Sequence, residues 1–184
     1  AVGILLEKIR EDKKIRVIGD YDIDGVNATY ILLEGLEALG ASVDSDIPDR
    51  RKDGYGLNAR LIERASKEGV DTIVTCDNGI AAAEEIAYGK RLGMTVIVTD
   101  HHEAPYEEAD GEKRPILPPA DAVVNPKQEG CPYPFKGLCG AAVAYKLVEA
   151  LHKASGRAAE DLDCLIENVA IATVGDVMDL TGEN

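Results

Sequence analysis

Short apolar runs recur along the chain at intervals that suit a layered α/β protein. The clearest are IRVIG, TIVTC and MTVIVT, which are rich in β-branched residues and are typical of buried strands. Residues 42–47 and 120–124 form two weaker runs. The predicted strands are residues 15–19, 42–47, 72–76, 94–99 and 120–124.

Helical patterns fill most of the intervals between these runs. Val26 to Leu39 has apolar residues at helical spacing, and Gly40 is a suitable C-terminal stop. The predicted helices are residues 26–39, about 59–68, 81–92, 138–155 and 159–174, with loops at 48–58, 103–119 and 127–137.

Nearly apolar strands need cover on both faces. The pattern therefore predicts an α/β fold: an open, mainly parallel five-stranded sheet with helices on both faces, plus C-terminal helices. Those last two helices are also compatible with the start of a separate helical cap.

Composition narrows the protein class. The 184 residues are 45% hydrophobic, which excludes wholesale disorder, and no apolar run reaches the length of a membrane span. The N-terminus lacks the layout of a secretion signal. The four cysteines have no CxxC spacing, so we expect reduced thiols in a cytoplasmic protein. The formal charge of −14 argues against nonspecific adhesion to nucleic acid.

Acidic residues follow the predicted strands. DYDIDG after the first strand contains Asp20, Asp22 and Asp24, Asp77 follows the third strand, and Asp100-His101-His102 follows the fourth. The carboxyl ends of parallel strands form the ligand crevice of open sheets, so these side chains are expected to converge. If residues 20–24 are extended, their alternate positions place all three aspartates on one side.

Clustered carboxylates repel one another unless a cation lies between them. A mixed set of aspartates and histidines suits Mn²⁺, with Mg²⁺ as a substitute, and paired ions are a recurrent device for displacement at phosphorus. For Asp77 alone, a helix N-cap is an equally good interpretation. His152, within a helix, is best interpreted as structural.

Together these junctions resemble the DHH phosphoesterase family, whose boxes match DYDIDG, CDNGI, the triplet Asp100–His102 and GDVMDL in order. The stretches IPDRRKDGYGLN and AVVNPKQEGCPYPFKGLCGAAVAYKL are most similar to the RecJ-type branch. That resemblance implies a 5′-to-3′ exonuclease on single-stranded DNA, active in DNA repair and recombination, which hydrolyses phosphodiester bonds with two Mn²⁺ ions. A single-strand-binding protein is a candidate partner.

The resemblance also implies roles for individual residues. His102 would face the scissile phosphate, Asp100 would orient an imidazole, and both are candidate catalytic residues together with Asp77. Asp24 and Asp77 are candidates to bridge two metal ions. The implied metal ligands are Asp22, Asp24, Asp77, His101 and Asp176, with Asp20 as a ligand or its close neighbour.

Two departures from the family pattern matter. Ile18 stands where related phosphatases and pyrophosphatases have a histidine, which favours the RecJ-type branch. No stretch matches the second, DHH-associated domain of RecJ-type enzymes. We therefore expect residues 1–184 to be a single catalytic domain, with a core at about 15–126 and a helical part at about 138–180. An excised fragment and a naturally short protein both stay open.

Substrate binding must rely on local cations. Without the six aspartates at positions 20, 22, 24, 77, 100 and 176, the formal charge changes only from −14 to −8. Arg50, Arg51 and Lys52 are the best basic cluster, although composition alone favours a solvated loop. Tyr55, in the neighbouring GYGL, is a candidate for base stacking, and Asn78 is a further predicted substrate contact.

Two other functions stay open at this point. A DHH phosphodiesterase that acts on short oligoribonucleotides or cyclic dinucleotides would use the same metals. A catalytically silent scaffold that binds nucleic acid or a replication partner is the alternative from a different class, and the intact metal boxes argue against it.

Overall fold

Five parallel strands form the central sheet of the computed structural model, which describes residues 1–51, 54–109 and 112–184. All four strand pairs are parallel, so the predicted fold class is confirmed. The order across the sheet is β2-β1-β3-β4-β7. Its strands are β1 (Ile15–Ile18), β2 (Val43–Asp46), β3 (Thr72–Cys76), β4 (Thr95–Thr99) and β7 (Ala122–Val124).

In the described part of the chain, six α-helices surround this sheet. They are α1 (Val2–Arg10), α2 (Ile23–Glu37), α3 (Ala59–Lys67), α4 (Ala83–Arg91), α5 (Gly140–Ala154) and α6 (Ile166–Gly175). Successive strand residues alternate between two cores: Ile15 and Val17 pack with α1, α2, α5 and α6, whereas Ile18 packs with α3 and α4. Helices therefore cover both faces. Helices α5 and α6 share the first core with α2 and pack directly on it, which differs from the arrangement expected of a separate cap.

Several local predictions were wrong. The segment 103–119 is not wholly a loop, because β5 (Tyr106–Ala109) and β6 (Glu112–Pro115) form an antiparallel ribbon. Helix α1 was not predicted, although it buries Leu5. The segment 159–174 divides into a 3₁₀ helix (Ala159–Leu165) and α6. Helix α2 begins at Ile23, three residues earlier than predicted, which changes the position of Asp24.

The sheet order places a crevice at one edge. From β1 the chain moves to β2 through α2, and it then returns past β1 to β3 through α3. The connections on either side of β1 therefore leave in opposite directions, and such a switch point opens a crevice at the carboxyl ends of the strands. Aspartates follow both β1 and β3 at this point.

A buried arginine joins the edge strand to its neighbour. Arg16, only 5% exposed, donates two hydrogen bonds to Asp44 at 2.6 and 2.7 Å and one to Glu68 at 2.6 Å. Arg16 and Asp44 are also partners in the β1–β2 register. These bonds attach both β2 and the end of α3 to the central strand.

Replacing Arg16 with methionine should lower the free energy of unfolding by about 1–3 kcal/mol, because three charge-assisted hydrogen bonds are lost. The partly exposed Asp44 and Glu68 side chains can rehydrate, which limits the loss. Lys67→Met is the control, since exposed Lys67 lies 3.6 Å from Glu63 and such pairs contribute less than about 1 kcal/mol. Urea unfolding of both variants measures the difference, and equal losses would contradict the role of Arg16.

Among the helices of the described residues, none has the length and apolar character needed to cross a bilayer.

Candidate metal centre

The end of β1 supplies the first carboxylate. Asp20 is fully buried, and neither of its oxygens makes a hydrogen bond of normal geometry with a described residue. Gly25 in the first turn of α2 packs against it, since a Cβ at Gly25 would lie only 2.6–2.7 Å from Asp20 atoms. The glycine of DYDIDG therefore lets the helix approach the buried aspartate.

The three aspartates of this motif do not share one extended segment. Asp22 is the N-cap of α2, where its Oδ1 accepts a hydrogen bond from the Gly25 amide at 2.9 Å. Asp24 lies two residues further along, in the first turn of the helix. The predicted extended alternation is wrong here, because capping by Asp22 starts the helix before Asp24.

A second helix holds the carboxylate of Asp24. Its Oδ2 accepts a hydrogen bond from the Gly140 amide at 2.6 Å, and its Oδ1 accepts one from the Ala141 amide at 2.7 Å. These are unpaired amides at the start of α5, and Cys139 at the N-cap makes no side-chain hydrogen bond to them. Asp24 therefore caps α5 from across the domain, while 1% exposed.

Asp77 follows β3 in a left-handed conformation, with a φ of 59°. Aspartate tolerates this region better than most residues. The side chain is 1% exposed and lies against the start of α5, where a Cβ on Gly140 would come within 2.7 Å of Asp77 Oδ1. Only a residue without a side chain fits at position 140 in this arrangement.

Asp100 organises the turn after β4. Its Oδ1 accepts hydrogen bonds from the amides of His101 and His102, and its Oδ2 accepts one from the Ile80 amide at 2.9 Å. Oδ1 also lies 2.7 Å from Nδ1 of His102. Burial alone would raise the pKa of Asp100, but its hydrogen bonds with His102 and Ile80 outweigh burial and lower it. Asp100 therefore orients the His102 imidazole.

His101 lies where the other side chains converge. Its Nε2 is 3.1 Å from Asp77 Oδ1, 3.5 Å from Asp24 Oδ2 and 3.7 Å from Asp176 Oδ2. Asp176 reaches this point from the end of α6, where it occupies the C-cap position. Side chains from four separate parts of the chain thus meet around one imidazole nitrogen.

Among the described residues, three overlapping groups of side chains have ligand atoms within 4.8 Å of one another. Asp77 and His101 each belong to two of the groups. The groups are Asp77 with His101 and His102, Asp24 with His101 and Asp176, and Asp20 with Asp22 and Asp77.

The clustered carboxylates disfavour one another's ionised form. Burial, and then the neighbouring Asp24 and Asp22, raise the pKa of Asp77 well above its ordinary value. Burial is also the main cause that raises the pKa values of Asp20 and Asp176. Such shifts mark a site where a positive charge would be stabilised.

The loop before α3 contributes side chains at the rim. The Tyr55 hydroxyl donates to the Asp77 carbonyl oxygen at 3.1 Å, and the Arg50 guanidinium lies 5.5 Å from the centre of the Tyr21 ring. Arg51 is exposed, and its amide donates to Asp49. Lys52 of the predicted basic cluster lies outside the described residues. Sequence reasoning missed Tyr21, although its place between two site aspartates was a usable signal.

Asn78 holds two strand ends together. Its amide nitrogen donates to the carbonyl oxygens of Ile18 at 3.1 Å and Cys76 at 2.8 Å, and the residue is 2% exposed. We therefore interpret Asn78 as part of the scaffold, which differs from the substrate contact expected from the sequence.

Residues 14–173 match the family model of the DHH family, N-terminal domain. That match spans the whole five-stranded sheet, all of α5 and most of α6. The chain belongs to the DHH family. The cluster includes His101 and His102 of the Asp-His-His triplet at residues 100–102, within the matched range, whereas Asp176 lies just after that range.

Similar proteins within this family include the single-stranded-DNA-specific exonuclease RecJ of Bacillus subtilis, which is 43% identical over 184 residues. That match covers the whole of this chain but only 22% of the length of the relative. A crystal structure of exonuclease RecJ bound to manganese superposes with a TM-score of 0.84 at 36% identity, covering 98% of this chain and 43% of that one. The crystal structure of RecJ from Thermus thermophilus in complex with Mn²⁺ superposes with a TM-score of 0.77 at 34% identity. That match covers 98% of this chain and 24% of the other.

Proposed function

We propose that this chain is the catalytic domain of a RecJ-type exonuclease that hydrolyses the phosphodiester bonds of single-stranded DNA from the 5′ end. The observation that carries the proposal is the convergence of aspartates and histidines from four parts of the chain at the carboxyl ends of β1, β3 and β4. The similarity to single-strand-specific exonucleases supports the substrate class.

The side chains present fit divalent cations such as Mn²⁺, with Mg²⁺ as a substitute. Carboxylate oxygens suit both ions, and the imidazole among the donors favours Mn²⁺ over the harder Mg²⁺. Buried Asp20 has oxygens without an ordinary hydrogen bond to a described residue, and Asp77 has a raised pKa. A cation would relieve both conditions, and the manganese-bound RecJ structures support the choice of metal.

The grouping of ligand atoms suggests how two cations would be held. Asp24, His101 and Asp176 would hold one, and Asp20 with Asp22 would hold the other. Asp77 lies within reach of both groups and would bridge them. When bound, the cations supply Lewis acidity and lower the pKa of water.

His102 would face the scissile phosphate. Its hydrogen bond with Asp100 is the main cause that raises its pKa, against the opposing effect of burial, so the imidazolium persists to higher pH than that of a free histidine. Nδ1 of His102 is held by Asp100, whereas Nε2 has only a long contact of 3.4 Å with the Tyr55 hydroxyl, which a phosphate oxygen can displace. Nε2 is therefore the nitrogen that can stabilise phosphate charge or give a proton to the leaving oxygen. A cleft of about 370 Å³, lined by His102 and Tyr55, opens beside this nitrogen.

Contacts to the nucleic acid would come from the rim. Since the chain outside the six aspartates still carries −8, its net charge repels DNA at long range, and nearby cations must bind the phosphates. Arg50 and Arg51 are suitable, and Tyr21 under Arg50 offers an aromatic surface for a base.

The test is Mn²⁺-dependent release of mononucleotides from single-stranded DNA by the full-length protein that contains this chain. A label at the 5′ end should be released before one at the 3′ end, and EDTA should stop the reaction. His101→Ala should abolish it because His101 belongs to two ligand groups. Full activity of that variant would refute the ligand assignment. Faster cleavage of a dinucleotide than of a long strand would instead favour the short-oligonucleotide alternative.

The rise in melting temperature that Mn²⁺ causes should grow from pH 5 to pH 8. The raised pKa values of Asp77, Asp20 and Asp176 mean that protons must leave these carboxyl groups before a cation binds, so the affinity for Mn²⁺ increases as pH rises. In the metal-free chain, stability from these groups is greatest at low pH and is lost as pH rises through their folded-state pKa values. Thermal unfolding at each pH gives the melting temperature with Mn²⁺ and with EDTA. If the increase caused by Mn²⁺ is constant over this pH range, the prediction is wrong.

A further inference from the structure

The hydroxyl group of Tyr55 connects three parts of the site. It donates to the carbonyl oxygen of Asp77 at 3.1 Å, and it lies 3.4 Å from Nε2 of His102. The Tyr55 ring is edge-on to both neighbouring rings, with centroids 6.3 Å from Tyr21 and 6.1 Å from His102. A side chain from the loop before α3 thus reaches the turns after β3 and β4.

This contact completes the restraint of His102. Asp100 holds Nδ1 at 2.7 Å, and the Tyr55 hydroxyl contacts Nε2 on the opposite side of the ring. The His102 side chain is 46% exposed, so packing alone leaves the ring free to rotate. Contacts at both nitrogens restrict that rotation, because turning the ring would break them together.

The same hydroxyl restrains the backbone of Asp77. A non-glycine residue with a φ of 59° is held there by its surroundings. The hydrogen bond from Tyr55 fixes the orientation of the following peptide, since the Asp77 carbonyl oxygen accepts it. Asp77 and His102 are therefore oriented relative to each other through one oxygen atom.

We propose that Tyr55 is a positioning residue, whose hydroxyl group couples the loop before α3 to the His102 ring and to the Asp77 turn. This proposal rests on the proposed function for its catalytic consequence, but not for its structural part. The proposed role depends on the hydroxyl oxygen of Tyr55. The base stacking expected from the sequence depends only on the aromatic ring.

The substitution Tyr55→Phe separates the two roles, because it removes the oxygen and keeps the ring. Tyr30→Phe is the control: Tyr30 lies on α2 with 45% exposure and makes no described hydrogen bond through its hydroxyl. The chain has three histidines, so a ¹⁵N spectrum of the imidazole rings is simple to assign. His152 is an internal reference, since it is buried against Gly35 in a different part of the domain.

In the metal-free chain at one fixed pH, Tyr55→Phe should shift and broaden the ring signals of His102 and leave those of His152 unchanged. Tyr30→Phe should change neither. Amide hydrogen exchange at Asn78 and Gly79 should also accelerate in Tyr55→Phe, because the peptide after Asp77 loses its restraint. Wild-type signals for His102 together with unchanged exchange would overturn the proposal.

In the full-length enzyme, Tyr55→Phe should lower kcat about tenfold and leave KM for single-stranded DNA within about twofold, because positioning acts in the transition state more than in substrate binding. A pure stacking role predicts that both constants stay at wild-type values, and that result would overturn positioning. If the wild-type enzyme shows no Mn²⁺-dependent cleavage, the proposed function fails, while the histidine spectrum still decides the role of the hydroxyl.

Discussion

Asp77→Asn is expected to reduce the Mn²⁺-dependent nuclease activity of the full-length enzyme by about a thousandfold or more. This corresponds to about 4 kcal/mol of transition-state stabilisation. Asp77 belongs to two of the three ligand groups, so its loss affects both proposed cations. Asparagine keeps the size of the side chain and also tolerates the left-handed backbone at φ 59°, so the change isolates the charge.

The same substitution should make the metal-free chain more stable at pH 8. Because burial and the carboxylates of Asp24 and Asp22 raise the pKa of Asp77, its ionisation destabilises the folded state, and asparagine removes that charge. We expect a gain of about 1 kcal/mol or more in urea unfolding with EDTA, since one pKa unit equals about 1.4 kcal/mol. Addition of Mn²⁺ should then raise the melting temperature of the wild type but not of the variant.

Asp12→Asn is the matched control, since Asp12 is exposed and also has a positive φ, of 54°. It should keep wild-type activity, metal-free stability and Mn²⁺ response. A metal-free Asp77→Asn chain that is less stable than the wild type would show that Asp77 is a structural cap and not one member of a repelling cluster.

Gly140→Ala is expected to give the second large effect, with loss of the Mn²⁺-induced stabilisation and about a hundredfold lower activity. A methyl group at position 140 would lie 2.7 Å from Cβ and Oδ1 of Asp77. Either Asp77 moves away from His101, or α5 moves and breaks the two hydrogen bonds from its first amides to Asp24. Both responses distort the candidate ligands, and overpacking costs about 1–3 kcal/mol of stability.

Gly3→Ala is the control, because it makes the same glycine-to-alanine substitution where the added methyl group has space. Gly3 lies within α1, and a Cβ there would meet no heavy atom within 4 Å. Alanine is the better helix former by about 1 kcal/mol, so this variant should be as stable as the wild type or more stable. If Gly140→Ala retains the wild-type unfolding midpoint and Mn²⁺ response, the close approach of α5 to Asp77 is not required.

Local sequence patterns predicted the strands well because each strand is a short apolar segment that needs cover on both faces. The third strand has the predicted bounds, and the other four differ by three residues or fewer at either end. The same logic placed Asp77 and Asp100 correctly at the ends of their strands. Apolar spacing predicted helix starts less well where a polar residue caps the helix. Asp22 caps α2 before the first apolar repeat, so the helix begins early and Asp24 lies within it.

The sequence by itself determined the fold class, the family and the set of acidic and imidazole side chains at the strand ends, since these depend on residue type and short-range spacing. Only the tertiary structure decided which of those side chains meet. The Asp24 carboxylate binds amides that lie 116 and 117 residues away, and Tyr55 reaches His102 across 47 residues. Contacts of this kind depend on the order of strands and the docking of helices, which local periodicity does not encode.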